Sequence, residues 1–277
     1  MLSLAKLDPQ KALERLVPPE IEHLVASIPK PVGSFGYDPW GYNEDRFKLA
    51  LAGAKWLYDH YFRVTAHGLE NIPAEGRVLL IGNHSGQLPM DGVLVGVAAA
   101  TNELGPRLAR AMIERFFPTV PWLGNYLNAL GGVIGDPVNC SKMLEMEEAI
   151  IVFPEGVRGS GKLYKHRYQL QRFGNGFMHL AMNHKTPIVP VGIVGCEETM
   201  PALTNLAPLA RLLGLPYLPL VPSLLPLPAR VYLNFGEPMW FEPGANEAEV
   251  TQRVEEVKAE LRRLIDLGLQ ERTSIYR

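Results

Sequence analysis

The sequence predicts an α/β fold: a single domain with a largely parallel central sheet flanked by helices, plus a helical N-terminal extension. Four short apolar runs bounded by turn residues have the composition of buried strands, at 77–83, 149–153, 187–194 and 230–235. Segments with helical spacing alternate with these runs, and this alternation is typical of a parallel sheet. We expect the extension to cover residues 1–60 and the α/β domain to cover 61–277.

Periodicity also places the helices. Residues 1–30 predict two short helices separated by Pro18 and Pro19, residues 46–61 a stronger helix, and 90–101 a helix rich in small residues. Residues 62–68 are a candidate short strand, and the two prolines of 187–194 favour a sheet edge or a strand start. The chain ends in an amphipathic helix with an apolar stripe of Val250, Val254, Val257, Leu261, Leu264 and Ile265.

Composition limits the function. A length of 277 residues, 47% hydrophobic, supports one large domain with a real core, and the net charge of -2 argues against nucleic acid as a partner. Cys140 and Cys196 are too few for a disulfide framework or a cysteine-rich metal site, so free thiols in a reducing, cytoplasmic compartment are expected. The N-terminus lacks a signal-peptide core, and no clean run of 18 apolar residues predicts a membrane span.

The first candidate site is the segment 83–91, which contains His84 and Asp91 and begins where a buried strand ends. A histidine paired with a carboxylate can act as a general base on a hydroxyl, because the carboxylate fixes the tautomer and stabilises the imidazolium. The alternative is a loop histidine beside an aspartate that caps the following helix, since Asp91 stands at an N-cap position.

The second candidate is the glycine-rich segment 153–162, which also leaves a strand. Arg158 and Lys162 are candidate phosphate ligands, and the alternative is a surface loop with solvated charges. Residues 156–162 match the phosphate-binding loop of nucleotide triphosphatases except that Leu163 replaces the required Ser or Thr, which disfavours that class.

Four blocks, in order, resemble the glycerolipid acyltransferase family over about residues 60–240. They are 82–91, 131–136, 152–158 and 186–191. The resemblance implies transfer of a fatty acyl group from acyl-CoA or acyl-carrier protein, as co-substrate, to a lipid hydroxyl. It implies no cofactor, no metal and no covalent acyl-enzyme. It makes His84 the general base and Asp91 its orienting partner, and it assigns substrate binding to Asn83, Ser85, Gly131, Glu155, Gly156, Arg158 and Lys162.

In this scheme Glu155 accepts a hydrogen bond from a glycerol hydroxyl, and backbone amides or Arg158 stabilise the charge on the thioester oxygen. Two departures from the family pattern stand out. The usual spacing would put the acid at Pro89, so either the loop bulges to bring Asp91 to His84 or another acid supports the imidazole. The family's phosphate-holding arginine is replaced by Pro137, which disfavours lysophosphatidate as the acceptor unless Arg158 and Lys162 compensate.

The apolar segments 116–123 and 212–227 are candidates for contact with a membrane surface or for the wall of an acyl tunnel; the alternative is ordinary core with a proline-rich connection. We therefore expect a cytoplasmic protein, peripherally associated with membrane, acting on a lipid acceptor and an acyl donor. The oligomeric state stays open. The second functional hypothesis is a non-catalytic module that binds lipid or acyl-CoA, in which the long spacing between His84 and Asp91 marks lost activity.

Overall fold

The structure, a computed structural model, describes residues 16–29, 37–85, 87–115, 120–212, 217–244 and 246–276. Seven of its strands form one sheet: β1 (Thr65–His67), β2 (Val78–Gly82), β3 (Ala109–Ile113), β4 (Val133–Ile134), β5 (Ala149–Val152), β6 (Ile188–Val194) and β9 (Tyr232–Phe235). A separate antiparallel pair consists of β7 (Thr204–Asn205) and β8 (Pro219–Leu220).

The sheet order is β1-β9-β6-β2-β5-β3-β4, and its pairs are parallel except for β6 with β9. The predicted α/β fold with a largely parallel sheet is therefore confirmed. Strand β3 was not predicted, because Arg110 interrupts its apolar run. That guanidinium is buried between the carboxylates of Asp38 and Glu148, which satisfy its charge.

Helices flank the sheet and alternate with its strands. They are α1 (Pro19–Ser27), α2 (Glu44–Trp56), α3 (Met90–Ala100), α4 (Leu123–Ala129), α5 (Pro137–Glu145), α6 (Val157–Ser160), α7 (Gly176–Asn183), α8 (Cys196–Thr199), α9 (Ala207–Leu212) and α10 (Glu247–Glu271). Helix α10 begins at a capping box formed by Asn246 and Glu249, and all six residues of its predicted stripe are buried.

The sheet is covered on both faces. In β2, Val78 and Leu80 pack with α3 on one face, whereas Leu79 and Ile81 pack with α7 and α10 on the other. A strand buried on both faces needs apolar residues at every position, which is why β2 reads as a continuous apolar run.

The N-terminal helices share a core with the α/β part of the chain. Ile21 and Val25 of α1 pack with Leu51 of α2, Val97 of α3 and Leu108. The helix predicted over 46–61 is confirmed, with its last turn widened to a π-helix at Leu57–Tyr61. The first predicted helix lies outside the described residues, and the division at residue 60 stays a prediction.

The predicted edge position of the proline-containing strand is wrong. Pro187 directly precedes β6, as expected at a strand start, but Pro190 lies inside β6, between β9 and β2. The Pro190 carbonyl accepts a hydrogen bond from the β9 side, so its missing N–H faces that side too. There the pairing shifts by one residue, from Ile188–Met239 to Val191–Phe235. A bulge of this kind leaves one position without a ladder bond and accommodates the proline.

Within the described part of the proline-rich segment 200–228, the longest helix is the six-residue α9. Pro208 is tolerated there because it lies in the first turn, where backbone N–H groups have no intrahelical acceptor. Among the described residues, every helix is too short or too polar to cross a membrane.

The contact between β6 and α10 depends on a missing side chain. A Cβ on Gly192 would lie 2.5 Å from Leu264 Cβ and 2.7 Å from its backbone carbonyl carbon. We expect Gly192→Ala to lower the free energy of unfolding by about 1–3 kcal/mol, because the helix must move away from the sheet. Urea titration followed by circular dichroism measures the change.

The control is Gly53→Ala in α2, where no atom lies within 4 Å of the added methyl group. This variant should be neutral or more stable by up to about 1 kcal/mol, since alanine favours the helix. Equal stability of the two variants would contradict the packing of α10 on β6.

Candidate active site

The candidate catalytic residues lie at the carboxyl edge of the parallel strands. His84 follows β2, Glu114 follows β3, and Phe153 and Glu155 follow β5. Loops that leave neighbouring parallel strands converge at this edge, which is where α/β sheets place their ligand sites.

His84 and Asp91 are in direct contact. Nδ1 of His84 lies 2.6 Å from Oδ2 of Asp91, whose side chain is fully buried. The same oxygen accepts from the backbone N–H of Ser85 at 2.8 Å. The N-cap of α3 is Pro89, so the N-cap interpretation of Asp91 is wrong: Asp91 is the second residue of the helix and its carboxylate faces the histidine. Despite the longer spacing, the chain brings the acid to the imidazole.

Aromatic stacking fixes the plane of the imidazole. The ring of Phe153 lies 4.5 Å from that of His84, with 15° between their planes. Two glycines make room for this arrangement. A Cβ on Gly82 would lie 2.8 Å from the Phe153 ring, and one on Gly159 would lie 2.7 Å from Cβ of His84.

The electrostatic surroundings make His84 a stronger base than an ordinary imidazole. Burial by itself lowers the pKa of the imidazole, but the charge and hydrogen bond of Asp91, together with the charges of Glu155 and Glu114, raise that pKa above its usual value. Since Nδ1 is held by Asp91, and Nε2 has no hydrogen-bond partner among the described residues, Nε2 is the nitrogen left to exchange a proton.

An apolar cavity of about 180 Å³ adjoins His84. It extends along β3, from Leu108 and Ala109 near the amino end to Glu114 beyond the carboxyl end. Apart from His84 and Glu114, its lining residues are apolar; they are Phe47, Ala50, Leu51, Ala54, Pro89, Gly92, Val93, Gly96, Val97, Leu108, Ala109, Ala111, Met112, Ile113, Leu127, Leu130, Gly132 and Phe153. Helix α2 of the N-terminal region thus forms part of the wall.

Asn83 and Ser85 lie on either side of His84 in the chain, and their hydrogen bonds are made within the protein. The Asn83 side chain accepts from the backbone N–H of Ile193 at 2.7 Å and donates to its carbonyl at 3.0 Å, which joins the end of β2 to β6. The Ser85 backbone N–H is bound to Asp91, and both residues are buried. The Asn83 amide is thus engaged by the backbone of β6, and its expected role as a substrate ligand stays a prediction.

The side chains of Glu155 and Lys162 also bind partners within the protein. One Glu155 oxygen accepts from the backbone N–H of His84 at 3.0 Å and the other from that of Gln171 at 2.7 Å. The ammonium group of Lys162 is buried, 3.1 Å from Glu197 and 3.8 Å from Glu155. Protein partners thus engage both groups, and their expected roles as hydroxyl acceptor and phosphate ligand stay predictions.

The remaining predicted ligands, Gly131, Gly156 and Arg158, differ in their position relative to the cavity. Gly131 does not line the cavity: its absent Cβ would face Leu108 and Arg110, and the adjacent Gly132 takes the cavity position. Gly156 lies beside Glu114, whose Oε1 would be 3.2 Å from an added Cβ. Arg158 is exposed on α6 and makes no ion pair within the described part of the chain.

Sequence reasoning missed Glu114, Phe153 as a stacking partner, and Tyr217. Burial raises the pKa of Tyr217, a hydrogen bond with Ser160 lowers it, and the charges of Glu114 and Asp91 raise it. The signal for Glu114 was its position directly after a strand, but β3 itself was not recognised. The structure also explains Pro137, which directly follows the second block. Pro137 is the first residue of α5, and Asp136 caps that helix while pairing with Arg115.

Comparison with known proteins now adds to the geometry. Residues 63–194 match the Acyltransferase family model. The chain belongs to the acyltransferase family. The match covers β1 to β6, so it contains His84, Asp91 and the segment around Glu155.

Two relatives are similar to this chain over a longer stretch than residues 63–194. An uncharacterized protein of Mycobacterium tuberculosis is 35% identical over 238 residues, covering 80% of this chain and 66% of that protein. A chicken protein (Gallus gallus) named as a DGAT1/2-independent enzyme synthesizing storage lipids is 27% identical over 235 residues, covering 81% of this chain and 68% of that protein. This acyltransferase chain therefore spans about two thirds of the length of these relatives.

The fold also has a solved counterpart. The crystal structure of a 1-acyl-sn-glycerophosphate acyltransferase from Thermotoga maritima superposes with a TM-score of 0.56 at 21% identity, covering 83% of each chain. This likeness supports the fold of the acyltransferase and says nothing of its acceptor.

The contact between His84 and Asp91 predicts a titration. We expect histidine NMR to give His84 a pKa above the ordinary value of about 6.5. In Asp91→Asn the raising charge is gone and burial remains, so the pKa should fall and His84 should stay neutral to lower pH.

The matched control is Glu271→Gln, which removes the carboxylate 2.9 Å from the exposed His67. That variant should leave the titration of His84 unchanged. If Asp91→Asn has no more effect on His84 than the control, the buried pair described here does not exist.

Proposed function

We propose that the protein is an O-acyltransferase that moves a fatty acyl group from acyl-CoA or acyl-carrier protein to a hydroxyl of a glycerolipid or related lipid alcohol. The observation that carries this proposal is His84, oriented by the buried Asp91 at the end of an apolar cavity. A long alkyl chain must leave water during the reaction, and the cavity supplies a place for it beside a general base.

The mechanism uses the free nitrogen of the imidazole. Nε2 of His84 takes the proton of the acceptor hydroxyl as its oxygen attacks the thioester carbonyl carbon, and Asp91 stabilises the imidazolium that forms. The tetrahedral intermediate collapses by breaking the carbon–sulfur bond. The thiolate leaves with the proton returned from His84, and the ester and free thiol are released.

The other groups of the site support the base. Glu155 holds the backbone N–H of His84, and Phe153 holds the ring plane. The negative charge on the thioester oxygen is stabilised by backbone amides or by Arg158, the cationic side chain of this loop without a protein partner among the described residues. The route needs no metal and no covalent acyl-enzyme.

The alternative, a non-catalytic module that binds lipid or acyl-CoA, rested on the long spacing between His84 and Asp91. Because the two side chains lie 2.6 Å apart, the spacing is no argument for lost activity. The binding module therefore remains only as an outcome of the activity test.

We expect His84→Ala to reduce acyl transfer by about 10²–10⁴-fold, the usual contribution of general-base catalysis. Asp91→Asn should lose less, because it keeps the base and removes the orienting charge. The assay incubates purified protein with labelled acyl-CoA or acyl-carrier protein and a panel of lysophospholipids, monoacylglycerol, diacylglycerol and long-chain alcohols, and identifies the products.

His67→Ala is the matched control: it removes a histidine that is paired with a carboxylate but exposed on β1. It should retain wild-type turnover. Wild-type turnover by His84→Ala would eliminate the mechanism, and acyl-donor binding without turnover in the wild type would favour the binding module.

We also propose that the protein associates peripherally with a membrane from the cytoplasmic side. The segment 200–228 exposes large apolar side chains that water does not favour; they are Leu203, Leu206, Leu209, Leu212, Leu220, Leu224 and Leu225. Trp122, which is 86% exposed, lies at the start of α4. Exposed apolar patches of this kind bind lipid or protein surfaces. The rest of the segments 116–123 and 212–227 lies in part outside the described residues.

Liposome flotation tests the membrane contact. Replacing Leu224 and Leu225, which are 89% and 75% exposed, with Asp should reduce co-flotation, because two charges enter the contact surface. The matched control replaces Leu104 and Leu267, two exposed leucines outside this segment, with Asp. Unaltered flotation of the first variant, or an equal loss in the control, would remove segment 200–228 from the contact.

A further inference from the structure

Glu114 is a carboxylate that the mechanism above does not use. It follows β3 directly and shares the cavity with His84, where its lining neighbours are otherwise apolar. Within the described residues it accepts no hydrogen bond and forms no ion pair, in contrast to Asp91 and Glu155. Glu114 is half-buried, and its oxygens are not among the buried unpaired atoms of the described residues, so the carboxylate is open to water or to a ligand.

The charges nearby do not neutralise this carboxylate. Arg115, the next residue along the chain, pairs with Asp136 and is largely exposed. The ammonium group of Lys162 is already shared between Glu197 and Glu155. Arg158, exposed on α6, forms no ion pair with Glu114 either. Among the described residues, Glu114 is therefore a carboxylate at the His84 end of the cavity without a paired cation.

The charge of Glu114 acts on His84, the proposed general base. Burial lowers the pKa of His84, Asp91 raises it most, and Glu114 contributes in the same direction as Asp91. Oε1 of Glu114 also lies against the backbone of Gly156, where an added Cβ would be 3.2 Å away. Glu114 and His84 therefore line the same cavity within electrostatic reach of each other.

We propose that Glu114 determines which acceptor is used: its carboxylate accepts a hydrogen bond from a second hydroxyl beside the one that is acylated, and it repels a phosphate at that position. The inference rests on the acyl transfer proposed above and narrows its acceptor to an uncharged lipid with two neighbouring hydroxyls, such as a monoacylglycerol. A hydrogen bond to a carboxylate is stronger than one to a neutral acceptor, and a phosphate dianion gains none.

The test separates acceptor choice from turnover. Titration calorimetry measures the binding of three short-chain, water-soluble probes: hexanoyl monoacylglycerol, hexanol and hexanoyl lysophosphatidate. The protein is the His84→Ala variant, which holds its ligands without reacting. We expect the monoacylglycerol to bind most tightly and the lysophosphatidate most weakly. Adding Glu114→Gln should weaken the monoacylglycerol about tenfold and bring the lysophosphatidate closer to it, because the charge is lost and the shape is kept.

Glu103→Gln is the matched control, since Glu103 is an exposed glutamate outside the cavity. It removes the same charge and should leave the order of the three probes unchanged. Equal or tighter binding of the lysophosphatidate to the protein with Glu114 intact would overturn the proposal, as would an effect of Glu114→Gln no larger than that of the control.

Kinetics with the active protein give a second, independent reading. The ratio of kcat/KM for long-chain monoacylglycerol to that for lysophosphatidate should fall at least about tenfold in Glu114→Gln. An unchanged ratio overturns the role of Glu114 while leaving acyl transfer in place. If the wild type acylates no acceptor at all, the proposed function fails, and the binding order still decides whether Glu114 selects the ligand.

Discussion

The geometry of the site depends on one buried carboxylate. Asp91 has no exposed surface, yet it accepts from the His84 imidazole and from the Ser85 backbone at the same oxygen. An unpaired charge at this depth would be costly, so the fold is stable only when the imidazole and the N–H group meet it. The contacts that satisfy Asp91 therefore also fix the tautomer and the direction of His84. The contact between His84 and Asp91 therefore serves both the packing of the buried carboxylate and the orientation of the general base.

Around this pair, other buried charges position the loops that leave the sheet. Glu155 ties the backbone of His84 to the loop after β5, and Lys162 ties Glu155 to Glu197 after β6. His84, Glu155 and Glu197 follow three different strands, β2, β5 and β6, so the network holds the carboxyl edge of the sheet together. A polar network of this kind rigidifies a site when its members are satisfied. We infer that Glu155, Lys162 and Glu197 contribute to catalysis by positioning His84, without touching the substrate.

The sequence predicted the elements whose pattern is local. Runs such as 77–83 and the stripe of α10 carry their burial in their own residues, so strand and helix follow directly. It failed where burial depends on distant partners. Arg110 concealed β3 because Asp38, far away in the chain, neutralises it. Asn83 gave no local sign of its partner Ile193, which is 110 positions further on. No local spacing distinguishes a polar side chain that is free from one that is satisfied.

The longer spacing between His84 and Asp91 shows what such a pair requires. Because α3 begins at Met90, Asp91 lies in its first turn, where the positive end of the helix dipole favours a carboxylate. Its position is then set by the helix axis and by the packing of Val95 and Ala99 against the sheet, and the length of the preceding loop matters little. A loop can gain two residues without moving a side chain that the helix holds. The spacing in a motif is thus a weaker constraint than the element on which each residue stands, and Asp91 remains the partner of His84 for that reason.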